Sequence, residues 1–137
     1  MISVTSVTGD YILQPSLLEK HRKTLAWLSY TLLWKREFNF FQKLMDQYAP
    51  KFSTVEDKTK ADHFQNLILY YNGEVIDGLG KKLREHEGKL AEMLQTKNEL
   101  KTEYFKEHDA IMQEFELFLI RFNEFKEELF SFIEKVM

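Results

Sequence analysis

The chain has no cysteine among its 137 residues. That absence removes disulfide frameworks, cysteine-ligated zinc, iron-sulfur clusters and thiol nucleophiles together, and it suits a reducing compartment. Residues 1–13 lack a basic leader region, and nowhere do about 18 apolar residues follow one another, so neither secretion nor a membrane span is indicated and the cytoplasm is the expected location. Charge of one sign is also scarce: 19 basic against 22 acidic side chains leave a net charge of −3. A general nucleic-acid binder would need clustered excess Lys and Arg, so no nucleic-acid partner is expected. With 44% apolar residues, the chain is long enough to build a core without metal or disulfide staples, and nothing in it asks for a cofactor.

Only two prolines are present, and they punctuate the pattern: Pro15 precedes the first long helical stretch and Pro50 follows it. Ser16 with Glu19 fits a capping box, which predicts a first helix from about Leu17 to about Ala49. Ser53 with Glu56 repeats the signature before a second helix from about Val55 to about Leu94. Gly73, Gly78, Gly80 and Gly88 weaken that helix by up to ~1 kcal/mol each, which implies a close neighbour or a local bend. Thr96 with Glu99 offers a third cap, so a turn is expected near residue 98, although one unbroken helix paired in a coiled coil would also fit the absence of Gly and Pro from residues 95–100.

What the sequence has in abundance is aromatic periodicity. Tyr104, His108, Ile111, Phe115, Phe118, Phe122, Phe125, Leu129, Phe132 and Val136 alternate spacings of four and three, the repeat of a helix lying against other helices. Trp27, Tyr30, Trp34, Glu37, Phe41, Leu44 and Tyr48 form a stripe on the first helix. The second carries Phe64, Ile68, Tyr71, Val75 and Leu79, continuing with a slow drift through Leu83, His86, Leu90 and Met93. The fold class expected is all-α: an antiparallel up-down bundle of three long helices, with room for a fourth element or a dimer. Residues 1–14 read as an N-terminal extension and residues 15–137 as one bundle domain.

One apolar stripe is left over. Leu18, Leu25, Leu28 and Leu32 lie on nearly the opposite side of the first helix from Trp27 and Trp34, and are interface candidates. Their cover would be either the N-terminal segment with Ile2, Val4, Val7, Tyr11, Ile12 and Leu13, or a second copy of the chain.

The candidate chemistry is sparse. Helical metal sites pair ligands one turn apart on the same helix, and none of His21, His63, His86 or His108 has such a histidine or acidic partner at three residues before or four after. Folding the second and third helices back around residue 98 would bring His86 level with His108, with Glu87 and Asp109 beside them and His21 near the same end. Glu37 interrupts an aromatic stripe and would need a partner; a fold-back near residue 51 sets it level with His63 and Asn66. His86, His108, Glu37 and His63 are thus the metal candidates, against the plainer reading of a polar layer that fixes register. No phosphate loop, nucleophile elbow or catalytic triad is present, so no enzyme is expected.

The runs Trp27 to Phe41, His63-Phe64-Gln65-Asn66 and His108 to Phe132 resemble uncharacterised small cytosolic all-helical proteins. That resemblance implies a helical hairpin and carries no activity or site residue with it. The function expected is therefore non-catalytic, through helix-mediated self-association or protein contact; the alternative is a metal- or ligand-binding bundle of the hemerythrin or ferritin type.

Overall fold

A computed structural model describes residues 15–96 and 101–137, with side chains described for 15–94 and 102–137. Among these residues every regular element is helical: α1 (Pro15–Tyr48), α2 (Val55–Tyr70), α3 (Asp77–Thr96) and α4 (Lys101–Val136). A single 3-10 turn, Ala49–Lys51, follows α1, and a π-helical turn, Tyr71–Ile76, joins α2 to α3 without a break. The described residues thus form three rods, of which the second is α2 and α3 together. Matched positions give their directions. Phe38 and Phe41 of α1 meet Phe122 and Phe125 of α4 in the same order, so α1 and α4 run parallel. Lys82 and Lys89 of α3 meet Glu114 and Glu107 of α4 in reverse order, so the middle rod runs antiparallel.

The C-terminal seam is buried as its spacing requires. Each of its members from Tyr104 to Phe132 is buried, with Phe122 and Leu129 fully so, and only Val136 is half-exposed. Rings from all three rods meet there: Phe122 lies 4.7 Å from Phe38, 5.7 Å from Phe118 and 5.9 Å from Trp34, while Phe64 approaches Phe132 at 5.3 Å. Burying one such ring contributes roughly 1.5 to 3 kcal/mol through removal of apolar area from water.

The buried face of α1 differs from the aromatic stripe read in the sequence. It runs through Leu17, His21, Thr24, Trp27, Thr31, Trp34, Phe38, Phe41 and Met45. Thr31 replaces Tyr30, Phe38 replaces Glu37 and Met45 replaces Leu44. At Thr31 the reason is close approach to the middle rod. A Cβ on Gly80 would lie 3.9 Å from Thr31 Oγ1, so small residues meet at this level. The threonine hydroxyls are satisfied locally, Thr24 donating to the Lys20 carbonyl at 2.8 Å and Thr31 to the Leu28 carbonyl at 2.7 Å. Such back-bonding lets a threonine occupy a helix interface without an orphaned polar atom.

The drift of the second stripe is absorbed at one place. Val75, Leu79 and Leu83 are spaced four and four, one residue more than the seam allows, and the π turn takes up that residue so that Ile76 is buried in place of Val75. Two caps also fall elsewhere than expected. Thr54, not Ser53, caps α2, its hydroxyl accepting from the Asp57 amide at 3.0 Å. α1 already includes Pro15 and Ser16, since proline suits a first helical turn. The turn expected near residue 98, the Thr96 and Glu99 cap and the extension 1–14 lie outside the described residues.

Candidate functional site: a buried polar layer

At the end of the bundle where α1 begins, the apolar seam gives way to ionisable and hydroxylic side chains. Consecutive residues of a helix point about 100° apart, so His86 and Glu87 of α3 address different neighbours. His86 faces α4, where Tyr104, Glu107 and His108 share one face by their three- and four-residue spacing. Glu87 faces α1, where it meets His21.

The first arm is a chain of three groups. His86 Nδ1 lies 2.6 Å from Glu107 Oε1, and His86 Nε2 lies 3.1 Å from His108 Nδ1. A carboxylate only accepts, so His86 donates to Glu107 and, when neutral, accepts through Nε2 from the Nδ1–H of His108. Rings hold this chain from both sides: Tyr104 stacks on His86 at 4.1 Å and 6°, and Trp27 of α1 stacks on His108 at 4.8 Å. Lys89 reaches the other oxygen of Glu107 from the surface. The second arm joins His21 Nδ1 to Glu87 Oε1. Two polar atoms here, His21 Nε2 and Glu87 Oε2, are buried without a hydrogen-bond partner, and the buried Tyr104 hydroxyl has the Thr24 side chain beside it without a well-formed hydrogen bond.

These surroundings shift the titrations. Burial first, and the neighbouring His86 second, push His108 down from 6.5 to about 4. Burial also pushes the Tyr104 hydroxyl up, and the nearby Glu87 adds to it. Burial opposes ionisation of Glu107, but hydrogen bonds from Lys89 and His86 outweigh it and hold the carboxyl below its usual range. The same contact with Glu107 raises Lys89. His108 is therefore neutral at pH 7.

The other metal candidates lie elsewhere. Glu37 is half-buried at the edge between α1 and α4, with Lys126 Nζ at 3.6 Å. It is level with Glu74 and Val75 rather than His63, because in this antiparallel pair Asn39 accepts from Asn72 at 3.2 Å and Lys35 meets Asp77. The hairpin is lopsided: Ala49 and Lys58 line one crevice with Met45 and Ala61, so α2 begins outside the end of α1 and its register slips. His63 is exposed beside Phe64 in a crevice with Lys60, Glu127, Glu128 and Ser131. Of the four candidates, only His86 and His108 come together, and their facing nitrogens are joined by a shared proton. Among the described residues no group of three or more His, Asp or Glu is arranged to hold a metal ion.

The leucine stripe is split by the fold. Leu28 is half-buried against the main core, because it lies one turn from Thr24 and Thr31 on the side packed against α3. Leu18 is half-buried against the cluster of Leu17, Leu90, Met93, Leu94 and Tyr104. Only Leu25 and Leu32 remain exposed. Sequence reading also passed over Glu107 and Thr24. The signal for Glu107 was its position beside His108 on the flank facing α3.

No family model, curated protein or solved structure matches this chain. No helix among the described residues is long and apolar enough to cross a membrane.

Proposed function

We propose that this protein is a non-catalytic helical bundle that works through helix-mediated contact, first with a second copy of itself. The observation that carries this reading is a row of large apolar side chains left exposed along the outer edge between α1 and α4. Leu33 is 50% exposed, Phe40 57%, Leu119 39% and Phe130 42%. Single exposed apolar residues are ordinary, but a row along one inter-helix edge is the surface that bundles cover with a further helix or a symmetric partner. The buried polar layer supports a structural role beside it, since its hydrogen bonds run between rods and fix their register.

Sedimentation equilibrium over a wide concentration range tests the reading. A mass above the 16.5 kDa of one chain, reduced to one chain by Leu33→Glu with helicity retained, is the result expected. A wild-type chain that stays at one mass at the highest concentration overturns self-association. Leu28→Glu is not the variant to use, because Leu28 packs on the main core and its loss would destabilise the monomer itself.

A further inference from the structure

The edge between α1 and α4 is ordered in levels, and those levels constrain how a second copy could sit on it. Glu37 of α1 pairs with Lys126 of α4 at 3.6 Å. Residues three and four positions away on a helix share a face, so Leu33 and Phe40 flank Glu37 on α1. Phe130 lies one turn beyond Lys126 and Leu119 two turns before it. Because α1 and α4 run parallel, with Trp34 at Phe118 and Phe41 at Phe125, Leu33 is level with Leu119; Phe130 starts more than a turn beyond the level of Phe40, and its ring reaches the neighbouring Phe41 ring at 5.7 Å. The face therefore reads apolar, charged, apolar, with opposite charges on its two helices at the middle level.

A two-fold axis lying in this face has two simple orientations. Set across the helices, it places Glu37 opposite its own copy and Lys126 opposite its own copy, burying like charges against each other. Set along the helices, it places α1 over α4 of the second copy. Glu37 then meets the second copy's lysine, and each apolar level meets an apolar level. Building on the self-association reading, we propose that the α1–α4 face is the contact between two copies of this chain, related by a two-fold axis running along the helices. Residues 1–14 carry Asp10 as their only charged side chain and so offer no lysine or arginine to complement Glu37.

The absence of cysteine makes the geometry directly testable, since disulfides form only between Cα atoms within about 7 Å. Leu33→Cys and Leu119→Cys chains, each otherwise wild type, are mixed under a mild oxidant, and Leu33→Cys is separately mixed with Phe40→Cys. The proposal expects the first mixture to yield mostly mixed disulfide dimers and the second, like Leu33→Cys alone, to yield few. Cross-linking of Leu33→Cys with Phe40→Cys would show the axis lying across the helices and overturn the proposed orientation. A chain that sediments as a dimer yet cross-links in neither mixture would overturn the proposed face and leave self-association standing. A chain that sediments as a monomer would overturn both. An intrachain disulfide between Val7→Cys and Leu33→Cys in one chain would assign the face to the N-terminal segment and overturn the proposal. Helicity measured on each variant separates these outcomes from failure to fold.

Discussion

The two ends of the bundle are built on the same heptad spacing but with opposite materials. Towards the α1–α2 link, Trp34, Phe38, Phe41, Phe64, Phe118, Phe122, Phe125 and Phe132 fill the interior with rings. Towards the start of α1, the same seam positions carry His21, Thr24, His86, Tyr104 and His108. Rings need only volume and an apolar neighbour, so the first end is stable in many small variations of side-chain angle. Hydrogen-bonded groups need particular partners at particular levels, so the second end fixes which residue of α3 stands opposite which residue of α4. Stability is concentrated at one end and register at the other.

That contrast is broken most severely at the aromatic end. Phe122→Ala removes a fully buried ring that touches Trp34, Phe38 and Phe118. It should lower unfolding free energy by roughly 3 to 5 kcal/mol in a denaturant titration, the usual effect of deleting a buried aromatic ring. A loss under about 1 kcal/mol would mean that the seam is not the core.

Acid should act on the other end. The folded-state value of His108 is lowered from 6.5 to about 4, so the unfolded chain takes up this proton first as pH falls. The stability due to neutral His108 is full above about pH 6.5 and is lost as pH falls towards 4, by roughly 2 to 3 kcal/mol over that window. Glu107, held below 4.5, extends the loss further into acid. In a Trp34→Phe background the remaining tryptophan, Trp27, stacks on His108 and should keep its emission until about pH 4. Quenching near pH 6.5 without unfolding would show an unperturbed histidine.

Tyr104→Phe sharpens the comparison because it should reverse the usual sign. The hydroxyl is buried with the Thr24 side chain beside it and no well-formed hydrogen bond, and removing a poorly satisfied polar group while keeping the ring should leave stability unchanged or raise it by about 1 kcal/mol. The ring stacked on His86 is retained. A destabilisation above about 1 kcal/mol would show that the hydroxyl is paired after all.

The smallest effects concern two glycines of α3. Gly88 has open space where a Cβ would stand, so Gly88→Ala should stabilise the helix by about 0.5 to 1 kcal/mol. At Gly80 the Cβ would come within 3.2 Å of Arg84 Nη1 and also reach Thr31. Gly80→Ala should gain less or lose stability. Thermal melting of both variants distinguishes a tight α1–α3 approach, which gives unequal shifts, from a loose one, which gives equal shifts.

Much of this was legible in the chain itself. The four-three spacing from Tyr104 to Phe132 determined an all-helical bundle and its densest seam, because a helix with one apolar face must lay that face on another helix. The expected level of His86 with His108 is matched by their hydrogen bond, because α3 and α4 run antiparallel with Lys82 opposite Glu114 and Lys89 opposite Glu107. The face of α1 was not legible. Hydrophobicity favoured Tyr30 and Leu44, whereas burial went to Thr31 and Met45; at Thr31 the approach of Gly80 rewards a small side chain whose hydroxyl bonds to its own helix. Glu37 falls at the edge towards α4, where Lys126 meets it, and its supposed neighbour His63 is displaced by a lopsided link that slips the register of α2. Periodicity along one helix is a local property that sequence determines; which flank of that helix is covered depends on two neighbours at once, and only the tertiary structure decided it.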